Sequence, residues 1–102
     1  MNAIVSPDPI PTPWGRADYM DTVAEGIVRY GTPSHGGFHL SPERLAKIDP
    51  RARAYAAKWS KGWGDAWFEE DCAGYAVVEA FPQYFPPHAV ETAWRVAQQY
   101  WR

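Results

Sequence analysis

Ten prolines cut this chain into pieces, and their positions limit what each piece can become. Proline removes a backbone donor and pushes the residue before it toward extended geometry. Pro7, Pro9, Pro11 and Pro13 fall at every second position, so residues 1–13 read as a proline-rich extended arm that could dock through Ile4, Val5 or Ile10. Pro33 ends a strand-like run. Pro42 and Pro50 each follow a residue that can cap a helix, Ser41 and Asp49, and each marks a helix start. Pro82 stops a third helix, and Pro86-Pro87 precedes a last one.

The length of 102 residues fits one domain, read here as residues 14–102. Ala17 to Ala24 alternates loosely, Glu25-Gly26 is a turn, and Ile27-Val28-Arg29-Tyr30 is strand-like, which together predict a β-hairpin. Phe38-His39-Leu40 can add a third short strand. A lone hairpin is marginal in water. The expected fold is therefore α+β, a small N-terminal antiparallel β-sheet of two or three strands packed against three or four helices. Helices are expected at about 42–48, 50–58, 69–80 and 88–101. Leu45, Ile48, Ala52, Tyr55 and Trp59 recur at helical spacing as one apolar stripe, with Arg44, Lys47, Arg51 and Lys58 as a basic stripe beside it. The inner faces of the later helices read as Ala73, Ala76, Val77 and Ala80, then Val90, Ala93, Trp94, Ala97 and Trp101.

Six Trp, six Tyr and four Phe are more rings than a core this small needs, so some aromatic area is expected at the surface. The net charge of −2 gives no bulk attraction to nucleic acid or to an anionic membrane. The charge is segregated, however. Arg44 to Lys61 holds six bases against Asp49 alone, and Asp65 to Glu79 holds five acids and no base. With Cys72 as its one cysteine the chain can form no internal disulfide, which suits a cytoplasmic setting. No apolar run approaches the ~20 residues of a membrane span, and the N-terminus lacks the basic and apolar blocks of a signal peptide.

Several groups could carry chemistry. His35 and His39 with Glu69, Glu70, Asp71, Cys72 or His88 have the side chains of a zinc site, but Gly36-Gly37 works against a helix that would put both histidines on one face. No Cys-x-x-Cys or His-Glu-x-x-His is present, and no metal or other cofactor is expected. Ser34-His35 lacks a nucleophile elbow, and Cys72 beside carboxylates reads as a small core residue. Ser34, His35, Gly36, Gly37 and His39 are therefore expected to form a structural turn, and no catalytic residue is expected. Consecutive Glu69, Glu70 and Asp71 would point about 100° apart on a helix, which suits an acidic contact surface better than a catalytic dyad. Tyr55, Lys58, Trp59, Lys61 and Trp63 interleave rings with cations, as a single-strand binder does, though a core with a solvated Lys fringe explains them as well.

Thr12-Pro13-Trp14-Gly15, the run from Thr32 to Arg44, Trp67 to Cys72, and Phe81-Pro82 together resemble a family of small uncharacterised domains from bacterial plasmids, phages and other mobile elements. The resemblance spans roughly Thr12 to Phe85. In size and acidity the chain is also similar to anti-CRISPR proteins. The resemblance implies a non-enzymatic inhibitor that binds a host protein complex, such as a CRISPR-Cas effector, in the bacterial cytoplasm, without direct contact to nucleic acid or membrane. The contact residues expected for it are Glu69, Glu70, Asp71 and Glu79, with Arg51 and Lys58 on the basic side. The alternatives are a small metal-dependent hydrolase built on His35, His39, Glu70 and Cys72, and a nucleic-acid-binding regulator.

Overall fold

A computed structural model describes residues 3–4 and 10–102. The remainder of the proline arm lies outside the described residues. The strands are β1 (Ala3–Ile4), β2 (Ile10–Thr12), β3 (Gly15–Ala17), β4 (Tyr19–Ala24), β5 (Ile27–Gly31), β6 (Gly36–Leu40) and β7 (Trp67–Glu69). The helices are α1 (Pro42–Leu45), α2 (Pro50–Trp59), α3 (Gly74–Ala80) and α4 (Pro87–Tyr100), with a 3-10 turn at Pro82–Tyr84.

The chain is α+β, but the small N-terminal sheet of two or three strands is corrected. The main sheet has five strands in the order β1-β4-β5-β6-β7, all antiparallel, with β1 adding two residues at one edge. A separate ribbon pairs β2 with β3, so regular structure begins ahead of Trp14, inside the expected arm. The far edge is β7, which returns to the sheet after two helices and pairs Gly37 with Glu69, Phe38 with Phe68 and His39 with Trp67. Trp67–Glu69 therefore replaces part of the expected loop and the first turn of the expected third helix, and that helix begins only at Gly74.

The hairpin of β4 and β5 turns at Glu25-Gly26 as expected, with Gly26 at φ 83 where a side chain would collide with Ser41. The two proline helix starts also form. Ser41 accepts from the Arg44 N–H at 3.3 Å, and Asp49 accepts from the Arg51 N–H at 2.8 Å. Arg44 does not join a basic stripe. Its guanidinium lies 4.9 Å from the Phe81 ring centre and donates to the Glu25 carbonyl at 2.9 Å, tying α1 to the hairpin turn and to the end of α3.

Strand alternation sorts the sheet into two faces. Ile27, Phe38, Leu40 and Phe68 are buried against the helices, where Ile48, Ala52, Ala56, Ala76, Val77, Ala97 and Trp101 complete the core. Val28, Tyr30, Gly37, His39, Trp67 and Glu69 belong to the opposite set by register. Two expected core residues leave the core. Trp59 is 52% exposed and Trp94 is 58% exposed, and Trp94 points outward although Ala93 and Ala97 on the same helix are fully buried.

Two turns share one design. In Thr12-Pro13-Trp14-Gly15 the Thr12 hydroxyl donates to the Gly15 carbonyl at 2.6 Å and accepts from the Trp14 N–H. In Thr32-Pro33-Ser34-His35 the Thr32 hydroxyl donates to the His35 carbonyl at 2.7 Å and accepts from the His35 N–H. The first turn lays the Trp14 ring on Gly37, where a Cβ would lie 2.5 Å from the indole and would also crowd the Phe68 carbonyl. Gly37→Ala should therefore lower stability by about 2 kcal/mol in urea unfolding. Gly31→Ala, whose Cβ meets Tyr19 at an ordinary 3.4 Å, should stay within about 0.5 kcal/mol of the parent.

Candidate functional site: an aromatic cleft with an acidic edge

Trp67 is the hub of the outer sheet face. Its ring centre lies 5.9 Å from Trp14, 5.6 Å from Tyr30, 4.5 Å from His39 and 5.7 Å from Trp63. The Trp14 and Trp63 planes stand nearly perpendicular to it, the edge-to-face arrangement that ring quadrupoles favour. A second hub, Tyr55, gathers Trp59, Tyr100 and Trp101 at 6.3, 5.5 and 5.6 Å. The two groups approach each other at a cleft of about 230 Å³ lined by Trp14, His35, Trp59, Lys61 and Glu69.

The loop after α2 shapes one rim of this cleft. Lys61 holds a left-handed backbone at φ 53, followed by Gly62 at 85 and Gly64 at 94. A residue with a side chain enters that region at a cost of about 1 kcal/mol. The fully buried Ser60 holds the loop closed, with its hydroxyl 3.1 Å from the Ala57 carbonyl and 2.5 Å from that of Gly64.

The other rim is acidic. Glu69 is half-buried at the end of β7, and burial holds its carboxyl above the ordinary carboxylate range. Asp71 and Glu70 add to that, while the Asp71 N–H, which donates to the Glu69 carboxylate, and nearby His35 act against it. Glu70 donates its N–H to the Gly36 carbonyl at 3.0 Å, and its carboxylate occupies the space that a side chain at Gly36 would need. His39 is held below the ordinary imidazole value of 6.5 by burial.

The sequence candidates therefore divide. Of the expected structural turn, only Ser34 and His35 lie in a turn. Gly36, Gly37 and His39 belong to β6: Gly37 and His39 pair with both β5 and β7, and Gly36 pairs with Gly31 of β5. Glu69, Glu70 and Asp71 stand together at the sheet edge, beside His35, and not on a helix. Glu79 is elsewhere, 3.1 Å from Arg102 in a separate cleft of about 290 Å³ that also takes Lys47 and Asp49. Arg51 is exposed and paired with Asp49 at 2.8 Å, and Lys58 is exposed on α2. Of the four acids, Glu69, Glu70 and Asp71 thus stand together and Glu79 apart. Cys72 lies beside Tyr55, whose phenol is pushed up first by burial and then by that neighbour. His88 is exposed at the start of α4. Among the described residues no three His, Cys, Asp or Glu side chains gather closely enough to hold a metal ion.

Trp14 and Trp67 are the site residues that the sequence reading missed. The available signal was the repeated Thr-Pro turn, which holds Trp14 in one copy and Ser34-His35 in the other.

A family model described as a domain of unknown function, DUF7007, matches residues 7–102, and the chain belongs to that family. No curated protein and no solved structure matches the chain. Among the described residues no helix is long and apolar enough to cross a membrane.

The buried Glu69 carboxyl has a consequence for stability. A raised folded-state pKa means that the native state binds the proton more tightly, so stability falls as pH rises from the unfolded to the folded value. Glu69→Gln removes this dependence. Thermal melts should show the variant above the parent at pH 7 and level with it near pH 3, and an unchanged difference across that range would refute the assignment.

Proposed function

We propose that the protein is a non-enzymatic inhibitor that acts by binding a host protein complex, in the setting of a phage or other mobile element, with a CRISPR-Cas effector as the first partner to test. The observation that carries this reading is two exposed indoles, Trp63 at 45% against Trp67 on the outer sheet face and Trp59 at 52% beside Trp14 at the cleft. Trp, Tyr and Arg dominate the energetics of protein interfaces, and water-exposed indoles in one neighbourhood are the usual raw material of such a centre. Glu69, Glu70 and Asp71 beside this cluster offer negative charge to a basic surface of the partner. A partner that holds nucleic acid has such a surface, and carboxylates can stand in for phosphates there.

The test is co-purification with reconstituted effector complexes, followed by association kinetics. Capture of a complex, with an association rate reduced about tenfold by Glu70→Lys combined with Asp71→Lys, supports the reading. Failure to capture any effector complex overturns it, and equal rates for parent and variant remove the electrostatic part.

A further inference from the structure

We infer that the cleft between Trp14 and Trp59 takes an arginine side chain of the protein partner, with Glu69 as its counter-ion. This rests on the protein-binding reading above and names the chemical group the partner must supply. A guanidinium is planar, weakly hydrated and permanently charged; it stacks on aromatic faces and meets a carboxylate through two parallel N–H groups. The cleft offers both kinds of contact. Trp14 and Trp59 line it, and indole is the aromatic ring that attracts cations best. Glu69 lines the same cleft, and none of the ion pairs among the described residues uses it.

The surrounding charge favours the same occupant. Asp71 and Glu70 add negative potential at Glu69, and nearby His35 works against it. Lys61 also borders the cleft, but it is exposed and forms no ion pair with Glu69. A volume of about 230 Å³ suits one long side chain and excludes a folded element. A nucleobase could stack on the same indoles, but its phosphate would then meet three carboxylates.

The experiment uses the full chain with ¹⁵N-labelled tryptophan and follows the indole N–H signals by NMR. N-acetyl-arginine amide should shift the Trp14 and Trp59 signals in a saturable manner, and N-acetyl-citrulline amide, its neutral isostere, should shift neither. Trp59→Ala should weaken the arginine response roughly two- to fivefold, and Glu69→Gln roughly tenfold. Trp59 is exposed and Gln is isosteric with Glu, so both variants retain the fold; the Trp67 indole signal checks this. Equal responses to arginine and citrulline, or an undiminished response in Glu69→Gln, overturn the proposal. The two levels separate cleanly. Effector capture that is unchanged in both variants removes the arginine anchor and leaves the inhibitor reading standing. An arginine response without capture of any effector keeps the anchor and removes the inhibitor reading.

Discussion

The outer face of the sheet depends on the contact of an indole with a residue that has no side chain. Trp14 rests on Gly37, in the middle of β6, and any Cβ there would meet the ring and the neighbouring strand together. Since β6 pairs with β5 on one side and β7 on the other, the same bare position lets Trp14 reach Trp67 across the sheet. Gly36 does the equivalent for Glu70, whose carboxylate takes the space over it. A pair of glycines thus decides where both the aromatic floor and the acidic edge of the cleft can lie. The price is local: glycine weakens a strand interior, and packing by Trp14 replaces what the missing side chains cannot supply.

The elements legible in the sequence are those fixed by local chemistry. The Gly26 hairpin, the Ser41-Pro42 and Asp49-Pro50 helix starts and the small-residue face of α3 follow from turn preference, capping and periodicity. The unread parts are non-local. Trp67–Glu69 has three residues, two rings and an acid, and nothing within that run separates a strand from a loop. It is a strand because β6 offers it a free edge and because Phe68 finds the core. The fold class was readable, but the size and order of the sheet were not, since they depend on pairings that span about thirty residues of sequence.

The site was legible in halves. Glu69, Glu70 and Asp71 stood out as an acidic run and do form one edge. Glu79 follows them in sequence, yet its carboxylate faces Arg102. The indoles of Trp59 and Trp94 fit an apolar helix stripe, yet both are exposed, and the small residues beside Trp94, Ala93 and Ala97, face the core. Membership of the DUF7007 family covers nearly the whole chain, including the ribbon that carries Trp14.

The two faces of the sheet thus have different tasks. The inner face is filled by Ile27, Phe38, Leu40 and Phe68 and fixes the fold, while the outer face holds rings and charges that the fold itself does not fully cover. Hydrogen–deuterium exchange on the protein with and without a bound effector complex tests that division most directly. Slowed exchange across residues 59–71, with α4 unchanged, is the expected result. Protection confined to α4, with residues 59–71 exchanging as in the free protein, would contradict it.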